Sequence, residues 1–390
     1  QSRRRKDPSE IKVLDPACGS GNFLLYAFDL LYDIYRLHAE DTSEEEIPNE
    51  ILKNNLHGLD IDSRAVQIAL LSLYLKASSA GYSNKLEFNV ASADLTYADG
   101  GHFEEIREKY INQPGEEEIF EKLWDEFKVA SKLGSLADFK SRVDEVVDDL
   151  EELHGKQPLL EKQSSFFGDT EKPLSVSSST EQVRNTLLDQ VKKDLSDAKE
   201  TEDLAQKFFA EQGLKGLDYT KILFQQYDVV LANPPYLDSA DYSSELKSLI
   251  KNNFKGFHKN LYATFIKRNH EFLQSKGKLG MITPQTFMFI KSYQDAREFI
   301  QKEFSIEQFP HLGLGGVFGE SLVDTAMFTM ESNKNPSKGA IFYRLVNCDR
   351  RKEEKREKLK EGVNNLRKGE TLSNISEVNQ REISAIPGSP

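Results

Sequence analysis

Four consecutive residues, Asn233-Pro234-Pro235-Tyr236, carry groups that could do chemistry together. Two adjacent prolines cannot continue a sheet, because each lacks a backbone N–H and has a fixed φ. An amide, a rigid proline backbone and an aromatic face could hold a flat substrate that carries an amino group. A turn that merely ends a strand would have the same composition, so this segment alone leaves both interpretations open.

A second segment of this kind is the glycine turn DPACGSGN at residues 15–22. Glycines let the backbone approach a ligand closely and turn sharply into a helix, and a helix N-terminus favours an anionic group. No Lys-Ser/Thr pair follows the glycines, which excludes a P-loop. An ordinary strand–helix turn would also look like this, so the turn alone is weak evidence of a ligand site.

Acidic residues follow the next two predicted strands. Asp60 and Asp62 end the second strand, and Asp94 ends the third. An acid at the tip of the second strand can accept both hydroxyls of a ribose, and Asp94 could bond an exocyclic amine of a nucleoside base. Surface acids and turn residues would look the same in isolation.

The elements that must position these residues alternate between strand and helix. Short apolar strands precede each polar segment, and longer helices lie between them, for example 23–38 and 63–77. We expect the first helix to be packed on both sides, and the second to start with Ser63 as its N-cap and to be buried. The pattern predicts an α/β fold with a mostly parallel sheet and helices on both faces, in which ligands bind at the carboxyl ends of the strands.

The composition changes along the chain predict five segments. They are an exposed arm (1–10), a first α/β half (11–99), a charged helical insertion with a Ser-rich linker (100–220), a second α/β half (221–332), and a charged linker-like end (333–390). We expect residues 349–362 to form an exposed helix or a disordered run, and 311–320 to form a glycine-rich loop in which Phe318 could stack on a ligand.

Composition limits the function. The net charge of −13 is opposite in sign to that of a free-standing nucleic-acid binder, so any DNA contact needs local positive charge. Residues 251–260 mix lysines, a histidine and two phenylalanines and could line a DNA backbone, although a solvated loop is equally compatible. Two distant cysteines predict a reducing, cytoplasmic setting, without zinc spacing or a disulfide scaffold. We expect no metal site and no membrane span, and we interpret His57 and His311 as core or loop residues.

Taken together, DPACGSGN and NPPY resemble the first and fourth motifs of gamma-type N6-adenine DNA methyltransferases. The longer stretches DPACGSGNFLLYAFDLLYDIY and EIPNEILKNNLHGLDIDSRAVQIAL resemble the PglX methyltransferases of bacteriophage-exclusion (BREX) systems. The resemblance implies a Rossmann-like methyltransferase fold that uses S-adenosyl-L-methionine, double-stranded DNA as substrate and a role in phage defence or restriction-modification. It also implies that residues 333–390 lead into a target-recognition region and that other defence-system proteins are partners.

The resemblance also implies a role for each motif residue. Asp15, Ala17, Gly19 and Gly21 would shape the methionine end of the cofactor site. Asp60 would hold the ribose with Ile61 against the adenine, and Asp94 would bond the adenine amine beside Leu95. Asn233 and the carbonyl of Pro234 would accept hydrogens from the target amine, with Pro235 keeping the segment rigid and Tyr236 stacking on the flipped base.

Two other functions remain compatible with the sequence. NPPY also suits the amide of a protein glutamine or an amine of guanine in RNA. In a different class, the domain could sense the cofactor and dock partners, with methylation only in an assembled complex. Methylation of cytosine C5 is disfavoured, because that chemistry needs a nucleophilic cysteine and no Pro-Cys pair occurs.

Overall fold

The computed structural model describes residues 6–38, 42–82, 86–93, 132–137, 204–314, 323–335, 337–346, 352–368 and 374–385, with residues 129, 145, 192, 196 and 199. Most of the predicted helical insertion, its Ser-rich linker, residues 1–5 and Phe318 lie outside these ranges.

The structure combines nine described strands with helices between them. The strands are β1 (Val13–Asp15), β2 (Leu56–Asp60), β3 (Asn89–Ser92), β4 (Tyr227–Ala232), β5 (Leu273–Pro284), β6 (Phe304–Gly313), β7 (Thr325–Ser332), β8 (Gly339–Arg344) and β9 (Ile375–Asn379). The described helices are α1 (Asn22–His38), α2 (Ile47–Glu50), α3 (Ser63–Ser79), α4 (Leu204–Phe224), α5 (Ser244–Asn253), α6 (Leu261–Phe272), α7 (Gln294–Glu303), α8 (Lys352–Lys368) and α9 (Gln380–Ala385).

The chain divides into two compact units. The first comprises Gln1–Gly58, Leu70–Phe88 and Gln226–Pro390, and the second comprises Leu59–Ala69 and Asn89–Gln225. β2 and α3 each run from one unit into the other.

The sheet of the first unit has the strand order β2-β1-β4-β5-β7-β6-β8-β9. β1 pairs in parallel with β2 and β4, and β4 pairs in parallel with β5. β7 runs antiparallel to β5 and β6, β8 lies parallel to β6, and β9 runs antiparallel to β8. The predicted parallel sheet is therefore found around β1 and β4, and the rest of the sheet is mixed.

Asp228, at the start of β4, fixes the register of β4 on β1. Its carboxylate accepts the backbone N–H of Lys12 at 3.0 Å and also bonds the side chains of Lys6 and Gln274. The backbone N–H groups of Asp228 and Val229 donate to the carbonyl of Lys12 at 2.9 and 3.1 Å. Because a one-residue slip would break all these bonds and turn every side chain to the other face, the pairing is specified locally.

The described residues between 339 and 385, where we expected a linker, instead include two further strands of the sheet. β8 and β9 pair with each other, and α8 packs on them through Leu359, Val363 and Leu366. These side chains lie against a buried cluster of Ile282, Leu312, Tyr343 and Leu345. The expectation failed because the charged residues of α8 hide a short apolar stripe at helical spacing. The predicted target-recognition region is not tested by this finding.

Two expectations about the first helices were also wrong. α1 leaves Tyr26, Leu30 and Leu37 at least half exposed, so it is not packed on both sides. α3 is capped by Asp62 rather than by Ser63. The side chain of Asp62 accepts the N–H of Arg64 at 2.9 Å, and its carbonyl accepts the N–H of Val66 at 3.1 Å. α3 is only partly buried, because Leu71, Tyr74 and Leu75 in the first unit, and Ile68 in the second, are at least half exposed.

The second unit contains the end of β2, β3 and α4. The backbone N–H of Ala93, just after β3, donates to the carbonyl of Asp60 at 2.9 Å. α4 packs on β3, with Tyr219, Ile222 and Leu223 buried. A short turn at Gly134–Leu136 is also buried in this unit.

Asn55 is a buried polar anchor in the first unit. Its amide nitrogen donates to the carbonyls of Pro8 and Ile11 at 2.7 and 2.6 Å, and its amide oxygen accepts the hydroxyl of Tyr35 at 3.0 Å. Its exposure is 0%. It therefore ties the segment before β1 to α1.

We expect Asn55→Ala to lower the free energy of unfolding by about 2–4 kcal/mol, because it leaves two carbonyls and a hydroxyl buried without these bonds. Chemical denaturation of the two proteins measures this difference. The matched control is Asn54→Ala, which removes a single side-chain bond to Glu50 and should cost less than about 1 kcal/mol. Equal losses in the two variants would contradict the anchoring role.

His57, as predicted, is a core residue, with its ring 5.1 Å from that of Tyr227. Burial lowers its pKa from 6.5 to about 4.

The neutral ring of His57 therefore stabilises the folded chain fully above pH 6.5. This stabilisation is lost as the pH falls toward 4, because the unfolded chain binds a proton at higher pH than the folded chain does. The loss should reach about 3 kcal/mol. Unfolding free energies at pH 7.5 and 4.5 should differ less in His57→Gln than in the wild type; parallel profiles would contradict this.

Candidate functional site at the carboxyl ends of β1 and β4

The glycine turn leaves β1 and leads directly into α1. Asp15 is 2% exposed, and its carboxylate accepts the N–H of Ala17 at 3.2 Å. Gly19 and Gly21 have φ of +51° and +84°, the left-handed region that favours glycine. The N–H of Gly21 donates to the carbonyl of Cys18 at 2.8 Å and closes the turn.

Gly19 also faces open space. A Cβ added there would meet no atom within 4 Å, so the backbone of the turn is accessible to a ligand. Cys18, in contrast, is buried, and its thiol lies 3.8 Å from the carbonyl of Gly19. This placement does not favour Cys18 as a nucleophile, because a reactive cysteine is usually partly exposed.

The segment Asn233–Tyr236 leaves β4. Asn233 and Pro235 are exposed, Pro234 is buried, and Tyr236 is partly buried. The hydroxyl of Tyr236 donates to the amide oxygen of Asn233 at 3.1 Å and lies 3.3 Å from the carbonyl of Ile282 on β5. The tyrosine therefore orients the asparagine amide, whose oxygen keeps a second lone pair for another donor.

Because β1 and β4 are parallel neighbours, with Leu14 opposite Val230, the glycine turn and Asn233 follow the same end of adjacent strands. Sequence analysis placed these two segments together, and the structure brings them to one edge of the first unit's sheet. In open α/β sheets this edge is where ligands bind.

The residues that pack against Tyr236 were not predicted from the sequence. The ring of Tyr262, on α6, lies 6.4 Å from that of Tyr236 in an edge-on contact and 5.8 Å from that of Tyr293. The hydroxyl of Tyr262 and the Thr286 hydroxyl are 2.8 Å apart. The sequence held no local signal for this support, because Tyr262 and Ile282 reach Tyr236 only through tertiary packing.

Burial is the main cause of the raised pKa values of both tyrosines. The pKa of Tyr236 and that of Tyr262 lie well above the usual 10. Both phenols therefore stay protonated at neutral pH, so Tyr236 remains a hydrogen-bond donor to Asn233.

Of the remaining predicted residues, Asp60 and Ile61 belong to the second unit. The Asp60 carboxylate accepts the N–H of Asp62 at 2.9 Å, and Ile61 is 51% exposed. A Cβ added to Gly134 would lie 3.7 Å from Cβ of Ile61. The proximity of Gly134 to Ile61 was not predicted from the sequence. Asp94 and Leu95 lie outside the described residues.

Within the described part of the chain, no group of three or more His, Cys, Asp or Glu side chains could hold a metal ion. No helix in those ranges is both long and apolar enough to cross a membrane.

Comparison with known families gives two matches. The family described as Eco57I restriction-modification methylase matches residues 54–318, which include Asn233–Tyr236. The family described as the DNA-methyltransferase domain of MmeI matches residues 3–103, which include the glycine turn.

Curated relatives cover almost the whole chain. An adenine-specific methyltransferase, BrxX of Escherichia coli O9:H4 (strain HS), is 28% identical over 98% of the chain and 29% of its own length. An adenine-specific methyltransferase, PglX of Lacticaseibacillus casei (strain Zhang), is 25% identical over 99% of the chain and 28% of its own length. The chain thus spans less than a third of the length of these relatives.

Among solved structures, a nuclease-deletion mutant of the Type ISP restriction-modification enzyme LlaGI, in complex with a DNA substrate mimic, shares the fold. The TM-score is 0.50 with 11% sequence identity, over 90% of this chain and 23% of that one. This likeness supports the α/β fold inferred from the sequence.

Proposed function

Because the chain belongs to the Eco57I restriction-modification methylase family, we propose that it carries the catalytic site of a site-specific, adenine-specific DNA methyltransferase. The enzyme transfers a methyl group from S-adenosylmethionine to N6 of a flipped adenine in double-stranded DNA, in phage defence or restriction-modification. Relatives named adenine-specific methyltransferases support this substrate over a protein glutamine or an RNA guanine.

The observation that carries the proposal is the placement of Asn233–Tyr236 beside the glycine turn. An exposed amide oxygen, oriented by Tyr236, follows β4, and an accessible glycine turn follows the neighbouring β1. An acceptor for an amine and a cradle for a cofactor are the two parts that amino-methyl transfer requires.

The residues of the turn fit S-adenosylmethionine. Gly19 offers open backbone, Asp15 a fixed carboxylate for the amino-acid end of the cofactor, and α1 its N-terminus for a carboxylate. For Asp60, Ile61, Asp94 and Leu95, the roles toward the ribose and adenine of the cofactor are those that the family resemblance implies. When bound, the cofactor supplies a methyl carbon on a positively charged sulfur, which departs as a neutral thioether.

Asn233 and the carbonyl of Pro234 act on the target amine. The lone pair of an aromatic amine is delocalised into its ring, so the amine is a poor nucleophile. Two fixed acceptors draw its hydrogens out of the ring plane and favour a tetrahedral nitrogen, whose lone pair then points at the methyl carbon. As the N–C bond formed and the S–C bond of the cofactor broke, the amine would become positively charged, and one N–H proton would then pass to solvent water. The rigid prolines keep reorganisation small.

Tyr236 contributes its ring face. Stacking of a base on an aromatic ring is worth about 1–3 kcal/mol, which offsets part of the few kcal/mol that it costs to take adenine out of the duplex. The contacts of its hydroxyl with Asn233 and Ile282 and the edge-on contact with Tyr262 hold that ring in place.

We expect Asn233→Ala to reduce methyl transfer by about 10²–10³-fold, because one of the two acceptors at the reacting nitrogen is lost. The measurement is incorporation of tritium from labelled S-adenosylmethionine into unmethylated DNA by the full-length protein. Calorimetry should show that the variant still binds the cofactor. The exposed Asn364 on α8 provides the control Asn364→Ala, which should keep full activity. Retained incorporation by Asn233→Ala would rule out its role.

Tyr236 provides a second test, which separates its ring from its hydroxyl. Tyr236→Phe keeps the stacking face and loses the bond to Asn233, so kcat/KM for DNA should fall by about tenfold or less. Tyr236→Ala also loses the ring and should fall by a further five- to roughly hundredfold, as expected for about 1–3 kcal/mol of stacking. Steady-state kinetics at fixed cofactor concentration measure both. Equal losses in the two variants would show that the ring face contributes nothing.

A further inference from the structure

The segment that follows the Asn233–Tyr236 motif carries an unusual concentration of positive charge. Residues 244–260 contain four lysines and one acid, in a chain whose net charge is −13. The lysines are Lys247, Lys251, Lys255 and Lys259, one in every four residues. We refer to these four as the lysine track.

All four side chains of the lysine track are exposed. Lys247 and Lys251 lie on α5, where a spacing of four residues puts them on the same side of the helix, about 6 Å apart along its axis. Ile250, between them, is fully buried and turns the opposite side of α5 to the core. In the described part of the structure, none of the four forms an ion pair, whereas many other lysines of the first unit do.

The backbone at the end of the lysine track is bonded to the residues that directly follow Asn233–Tyr236. The N–H of Ser239 donates to the carbonyl of Lys259 at 2.9 Å, and the N–H of Leu261 donates to the carbonyl of Leu237 at 3.0 Å. Asp238 and Asn260 form a β-bridge between these bonds. Lys259 is thus held beside the residues that immediately follow Tyr236.

The two phenylalanines of this segment hold the track in place. Phe254 and Phe257 are 2% and 5% exposed, so they are core residues. The ring of Phe257 packs edge-on against Phe299 at 5.3 Å, and its carbonyl accepts the hydroxyl of Thr264 at 3.2 Å. A rigid backbone lowers the entropy cost of placing several cations on one ligand.

The pKa of His258 responds to the charges around the lysine track. Burial lowers its pKa, and the charges of Lys259 and Lys251 lower it further, whereas Asp295 of α7 acts in the opposite direction. The charges of Lys259 and Lys251 therefore act on His258 in the same direction, against that of Asp295.

We propose that the lysine track binds the phosphate backbone of the DNA next to the flipped adenine and so positions the duplex on the catalytic segment. This proposal rests on the proposed function. Unpaired, exposed ammonium groups on a rigid support are suited to phosphates, whose neutralisation releases counterions and makes binding depend strongly on salt. Such contacts orient a duplex without reading its sequence.

The test compares the full-length wild type with the triple variant Lys251→Gln, Lys255→Gln, Lys259→Gln. Fluorescence anisotropy with a labelled duplex of about 30 base pairs gives the affinity between 50 and 200 mM salt. We expect the triple variant to bind at least about tenfold more weakly at 50 mM salt, and the slope of log K against log salt to become shallower by about 2 to 3.

The control variant removes three lysine charges at positions outside the lysine track. Lys53, Lys302 and Lys360 are exposed, and each is paired with a carboxylate. For the variant Lys53→Gln, Lys302→Gln, Lys360→Gln, the slope of log K against log salt should stay within about one of the wild-type value. This variant should also keep the wild-type methylation activity. Thermal unfolding of both variants checks that they fold.

The outcomes separate this inference from the proposed function. If the triple variant binds as the control does, or if the wild type does not bind the duplex, the lysine track has no such role. If the wild type binds the duplex and the slope of log K against log salt is shallower in the triple variant by about 2 to 3, the proposed role of the lysine track is supported. Tritium incorporation from labelled S-adenosylmethionine into the same duplex then tests the proposed function independently, because binding without incorporation would count against catalysis alone.

Discussion

The candidate site depends on the parallel pairing of β1 with β4, two strands separated by more than two hundred residues in the chain. The carboxylate of Asp228 fixes this pairing by accepting the backbone N–H of Lys12 and bonding the side chains of Lys6 and Gln274. Once that register is set, the glycine turn and Asn233 must follow the same end of neighbouring strands, because parallel strands present their carboxyl ends at one edge.

The second constraint is rigidity at the reacting group. Asn233 is followed by two prolines, and its amide oxygen is held by the hydroxyl of Tyr236, whose ring is in turn supported by Tyr262. In the proposed reaction, an acceptor that is already oriented need not reorganise when the amine nitrogen becomes tetrahedral, and this is how a neutral amide would contribute to catalysis. Backbone bonds from Ser239 to the carbonyl of Lys259 and from Leu261 to the carbonyl of Leu237 continue the same support into the lysine track.

Much of this could be predicted from the sequence, because short apolar strands that end in Gly, Asp or Asn-Pro-Pro are local signals. α1 and α3 lie within about two residues of their expected ranges, 23–38 and 63–77. β8 and β9 were missed, since long-range pairing with β6 and the docking of Leu359 and Val363 override a charged local pattern. The cap of α3 shifted by one residue because Asp62 competes with Ser63 for the same N–H groups. The support of Tyr236 by Tyr262 and Ile282 depends on tertiary contacts that no local pattern encodes.

The measurement that tests the central claim most directly is modified-base sequencing of host DNA in strains that carry the intact gene, its deletion, or the deletion complemented with wild type or Asn233→Ala. We expect N6-methyladenine at one recurring sequence, absent from the deletion strain, restored by the wild-type gene and not by the variant. Identical adenine methylation in all four strains, or restoration by Asn233→Ala, would contradict the assignment of Asn233–Tyr236 as the adenine-methylating site.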